Sequence, residues 1–149
     1  VAITVRITQA LKYSLQRNTI DENIFIEKFT AWKLSADEYD SYLFGKDSAY
    51  IKPDVDGKSY VLRHVHLPPL ADEEQLRLWN KKWQQRSRKT SDRVLIYVED
   101  NRGNYLLIFI LPEPTAHAIA KMQTLEHQQI MNGFANVAAQ FLDTGEVIA

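Results

Sequence analysis

Hydrophobic and polar positions alternate over residues 1–9, Val-Ala-Ile-Thr-Val-Arg-Ile-Thr-Gln, and the β-branched content predicts a strand. Thr19 and Glu22 have capping-box spacing and open a helix whose apolar face is Ile24, Phe25, Phe29 and Trp32. Ser35 and Glu38 repeat the signal, so a second helix is expected there, ending near Gly45. Residues 45–58 hold Gly45, Pro53, Gly57 and several Asp, and read as loop. A strand follows over 59–67, stopped by Pro68 and Pro69. Asp72 and Gln75 cap a helix with Leu76, Trp79 and Trp83 on one face. Residues 92–99 and 104–111 form a hairpin around Asp100-Asn101-Arg102-Gly103. From Thr115 one long helix carries Ile119, Met122, Met131, Phe134, Val137 and Phe141, with Gly145 just past its end. The order β-α-α-β-(α)-β-β-α predicts an α+β sandwich: a four-stranded, mostly antiparallel sheet with helices mainly on one face.

At 149 residues, 45% hydrophobic and 25% charged, the chain reads as one globular domain over 1–149. It has no Cys, which excludes disulfide scaffolds, thiol catalysis and thiolate zinc sites. No apolar run is long enough to span a membrane, and the opening Val-Ala-Ile-Thr-Val-Arg is unlike a signal peptide, so a cytoplasmic protein is expected. The net charge of −1 conceals a strong asymmetry. Residues 58–93 carry nine basic and four acidic side chains, and Lys81, Lys82, Arg86, Arg88, Lys89 and Arg93 have only Asp92 as a local acid. Such a cluster suits a polyanion, or else is a solvated helix face.

His64 and His66 lie two apart on a predicted strand, so their rings share one face while Arg63 takes the other. Two imidazoles beside a cationic segment suit acid/base chemistry near neutral pH. Alternatively, one is a hydrogen-bonded core residue and the other an edge residue. A metal reading of His-x-His needs a third ligand, and the sequence offers only a distant carboxylate such as Glu99. Arg86, Arg88, Lys89 and Arg93, with Lys81 and Lys82 on the preceding helix, are candidate phosphate ligands, and Asp92 can orient a base. Trp79, Trp83 and Tyr97 are either stacking surfaces for nucleobases or core. His117 and His127 read as partly exposed helix residues. No phosphate-binding loop, dinucleotide fingerprint, serine elbow or HExxH occurs, which removes the commonest cofactor enzymes.

Four segments in series, Phe44-Gly45-Lys46-Asp47-Ser48-Ala49-Tyr50, His64-Val65-His66-Leu67, Lys89-Thr90-Ser91-Asp92 and Leu111-Pro112-Glu113-Pro114, resemble the YafO family of toxins over about residues 35–142. These belong to bacterial toxin–antitoxin pairs and are grouped with RelE-like ribonucleases. The resemblance implies a RelE-like sandwich and a ribosome-dependent endoribonuclease that cuts translated mRNA. It implies a cognate antitoxin, expected to be small and acidic and encoded beside the toxin, and chemistry in which the ribose 2′-hydroxyl attacks its phosphate without metal or cofactor. Under it, His66, His64 and Asp92 are the catalytic candidates, His66 ahead because it lies nearer the strand end and solvent. Two other readings stay open: a non-catalytic module that blocks translation by binding RNA or the ribosome, and a gyrase-directed toxin on the same fold.

Overall fold

The computed structural model describes residues 2–35 and 40–149. Strand β1 (Thr4–Ile7) leads into helix α1 (Gln9–Arg17), and α2 (Glu22–Leu34) follows. Then come β2 (Asp47–Ala49), β3 (Arg63–His66), α3 (Glu73–Gln84), the hairpin β4 (Val94–Glu99) and β5 (Asn104–Leu111), α4 (Ala116–Ala120) and α5 (Leu125–Thr144). The strands form a five-stranded sheet in the order β1-β5-β4-β3-β2, parallel only between β1 and β5. The architecture is α+β, as expected, but with five strands rather than four. The added strand is β2, inside the stretch read as loop. Its three residues are too few to show an alternation in sequence.

The helices also cover both faces, not mainly one. On one face α1 and α2 bury Leu11, Leu15, Phe25, Phe29 and Trp32 against Val65, Leu95, Tyr97 and Leu107. On the other, α4 and α5 bury Ile119, Met131, Ala138 and Phe141 against Val94, Ile96, Val98 and Leu106. The sheet is apolar on both faces because successive residues of β4 serve opposite cores. In β5 the alternation slips, since Ile96 opposes Phe109 while Tyr97 opposes Leu107. Ile108 is thus an extra residue, a bulge, and both Ile108 and Phe109 face the α5 side. The carbonyl of Ile108 accepts the Thr8 hydroxyl at 2.6 Å. That same hydroxyl oxygen accepts the Leu11 amide, making Thr8 the cap of α1.

Several boundaries differ from expectation for local reasons. Helix α1 was unseen because polar Gln9, Lys12 and Gln16 surround only two buried leucines. Asp21, not Thr19, caps α2, and Thr19 sits in the left-handed region at φ 58. Ser35 ends α2, and Glu38, the partner of its expected capping signal, lies outside the described residues. Tyr60, at φ 64, precedes β3, which is shorter than the expected 59–67. The long helix from Thr115 is two helices: Met122 turns at φ 55, and Thr124 caps α5 afresh. The cap of α3 at Asp72, the hairpin and the left-handed stop at Gly145 stand as read.

Candidate active site

The four sequence segments above, far apart in the chain, meet at one end of the sheet. The Gly45 amide donates to the His66 carbonyl at 2.8 Å, and the His66 amide to the Lys46 carbonyl at 3.0 Å. The Lys46 amide donates to the Lys89 carbonyl at 2.8 Å, which ties in the third segment. Gly45 is the residue that allows this approach: a Cβ there would run into the Lys89 carbonyl and the Trp79 ring. Glu113 of the fourth segment accepts the amides of Leu70 and Ala71, holding the chain that leaves β3.

His64 and His66 do share a face of β3, with ring centroids 5.7 Å apart, and Arg63 takes the other face. The Nδ1 of His66 lies 2.7 Å from the Ser91 carbonyl and 3.0 Å from the Ser91 amide. Whichever proton it carries, this nitrogen is engaged by Ser91, and Nε2 is the nitrogen left for chemistry. His64 stacks on Tyr50 at 3.9 Å and 4°, and its Nε2 is 3.3 Å from the Ser48 hydroxyl. Its Nδ1 is buried and has no hydrogen-bond partner among the described residues. Burial, then the neighbouring His66, pushes the His64 pKa down to about 4. His66 is lowered too, chiefly by burial, although its bond to Ser91 works the other way. Both rings are therefore neutral at pH 7. Contrary to expectation, His66 is the less exposed of the two, at 4%.

A third imidazole joins them. His117, near the start of α4, has its ring centroid 6.3 Å from that of His66. Asp92 holds it twice, accepting the His117 amide at 2.7 Å and lying 3.3 Å from Nδ1. Asp92 thus does orient an imidazole, but one that sequence reasoning set aside. Local sequence carries no signal for this, because His117 reaches Asp92 only through a tertiary contact. Among the described residues, no three His, Asp or Glu side chains gather with metal-binding geometry.

The remaining candidates scatter. Lys81, Lys82 and Arg88 are exposed on α3 and the turn after it, and Arg86 pairs with Asp40 at 2.5 Å. Lys89 is buried: Nζ donates to the Ser41 carbonyl at 2.8 Å and lies over the rings of Trp79 and Trp83. Arg93 is buried as well, donating to the Pro68 carbonyl at 3.0 Å. Neither presents its charge to a phosphate in this arrangement. Trp83 packs edge-on against Tyr42, and Tyr97 is wholly buried, with no face for a nucleobase. Lys46, beside β2, is a cation whose charge does reach the imidazoles, lowering the pKa values of both His64 and His66.

The arrangement brings together neutral imidazoles, a carboxylate-held imidazole and an ammonium group, side chains suited to general acid–base proton transfer. A family model described as "Toxin YafO, type II toxin-antitoxin system" matches residues 30–143. No curated protein and no solved structure matches the chain.

Proposed function

This chain belongs to the YafO family of type II toxin–antitoxin toxins, and from that premise we propose that it is a ribosome-dependent endoribonuclease acting on translated mRNA. As a toxin of this class it has a cognate antitoxin as its partner. The observation that carries the nuclease reading is the convergence of His66, His117 and Asp92 from three separate segments.

The chemistry needs one proton removed and one delivered. The ribose 2′-oxygen attacks the adjacent phosphorus while a base takes its proton. The bond from phosphorus to the 5′-oxygen then breaks as an acid protonates the leaving oxygen. His66 suits the base: burial keeps it neutral, and with Nδ1–H donating to the Ser91 carbonyl at 2.7 Å, Nε2 is the nitrogen that receives the proton. His117 suits the acid, with Asp92 orienting its ring and balancing the charge of its protonated form. Lys46 supplies positive charge for the phosphorane oxygens. His64 is a positioning residue, since its neutral ring keeps a second cation away from His66 and carries the Ser48 and Tyr50 contacts. The exposed Lys81, Lys82 and Arg88 are assigned to ribosomal RNA rather than to the scissile phosphate.

Primer extension on a translated message after induction tests the reading. The wild type is expected to create discrete new 5′ ends. His66→Ala and His117→Ala are each expected to lower cutting at least about 100-fold, the low end for a positioned acid or base. His117 is 70% exposed, so its loss leaves folding intact even where His66→Ala does not. Arrest of translation without new ends would instead mean a binding module, and a DNA-damage response a gyrase-directed toxin.

A further inference from the structure

Beside the histidines, the 49–54 segment and the α4–α5 corner enclose an open cleft of about 890 Å3. Tyr50 belongs to both places, stacking on His64 and walling the cleft. Across from it, α5 presents Gln128 and Asn132, four residues apart and so on one helix face. The Gln128 Nε2 donates to the Met122 carbonyl at 3.1 Å, which leaves Oε1 as an acceptor. Met122 is held at φ 55, a conformation costly for a bulky side chain, and this turn is what breaks the helix and opens the cleft. Ile51 and Met122 supply apolar surface, and Lys52 and Lys121 line the cleft, Lys52 braced by Asp54 at 3.0 Å.

Apolar surface, two carboxamides at helical spacing and the Lys121 ammonium group, with Lys52 shared with the lining carboxylate of Asp54, match the parts of a single-stranded nucleotide: base face, base edge and phosphate. We infer that this cleft binds the nucleotide next to the scissile phosphate and prefers adenine to uracil, which has no exocyclic amine to donate to the carboxamide oxygens of Asn132 and Gln128. The Gln128 Oε1 accepts from the exocyclic amine. The inference rests on the RNA-cleaving reading and adds where, and by which residues, the base is read.

The test uses the full chain, labelled for NMR, with RNA hexamers of adenosine or uridine that are 2′-O-methylated throughout and cannot be cut. Adenosine RNA is expected to shift the amides of Tyr50, Ile51, Lys52, Asp54, Lys121 and Met122 and the side-chain amides of Gln128 and Asn132. It is expected to bind about tenfold more tightly than uridine RNA, a preference that Asn132→Ala should erase. Equal affinity for the two, shifts confined to α3, no binding, or a preference unchanged in Asn132→Ala would each overturn the inference. Cleavage of a defined message on programmed ribosomes is assayed with the same preparation. Adenosine-selective binding in the cleft without cleavage refutes the nuclease reading and leaves the cleft in place. Cleavage without binding in the cleft refutes the cleft alone.

Discussion

His64 shows how burial, reinforced by a neighbouring imidazole, sets a protonation state. Its folded-state pKa of about 4 lies below the ordinary value of 6.5, so the unfolded chain binds the extra proton between those limits. The stability contributed by keeping this ring neutral is present above pH 6.5 and is lost as pH falls toward 4. The full span corresponds to up to about 3 kcal/mol. His66 is lowered as well and adds in the same direction. Replacing His64 by Phe keeps a ring against Tyr50 and removes both the titration and the orphaned Nδ1. Thermal melts from pH 7.5 to 4.5 are therefore expected to fall less steeply in His64→Phe than in the wild type. Equal slopes would mean that this ring does not govern acid sensitivity.

Among the elements, β2 is the smallest, yet it carries a residue that binds its neighbours from below. On the face opposite the histidines, Asp47 accepts the Tyr97 hydroxyl at 2.6 Å and pairs with Lys33 and Arg63, each at 3.2 Å. Lys33 and Arg63 also donate to the Tyr97 oxygen, at 2.8 and 3.2 Å. Helix α2 and strands β2, β3 and β4 are thereby joined through one carboxylate. The same three-residue strand places Ser48 beside His64 on the other face. Asp47→Asn would leave two cations facing each other without the carboxylate between them, Arg63 keeping Glu99 at 4.0 Å. The expected loss is at least about 2 kcal/mol in urea unfolding, less than the 3–5 typical of a fully buried pair because the cluster is partly exposed. An unchanged midpoint would show that the cluster does not hold β2.

That strand also marks where sequence reading stops. Elements with caps and long apolar periods were legible: α3 from Asp72, the β4–β5 hairpin, the stop at Gly145. Alternation alone was enough to place His64 and His66 together and Arg63 opposite. Three residues of β2 carry no period, and the left-handed turn at Met122 is imposed on a residue that does not favour it, so neither leaves a local trace. Lys89 and Arg93 read as phosphate ligands because nothing local reveals that carbonyls of Ser41 and Pro68 await them. His117 joins the site only through a tertiary contact with Asp92, and local spacing has no means of showing it.

At the scale of the whole molecule, the sheet divides the work. One face, with α1 and α2, holds the ionic clamp around Asp47 and most of the aromatic core. The other, with α4 and α5, carries the three imidazoles and the adjoining cleft. The exposed cations of α3 form a third region, beside the site rather than within it. Among the described residues no helix is long and apolar enough to cross a membrane.

The central claim is that this family member cuts RNA through its own 2′-hydroxyl, with His66 and His117 moving the protons. The most direct measurement is the chemistry of the ends made by the purified protein on a ribosome programmed with a defined message. A 2′,3′-cyclic phosphate on the upstream fragment and a 5′-hydroxyl on the downstream fragment are expected, with both absent in His117→Ala. A 3′-hydroxyl and a 5′-phosphate would show that water, not the ribose, attacked, and would contradict the mechanism.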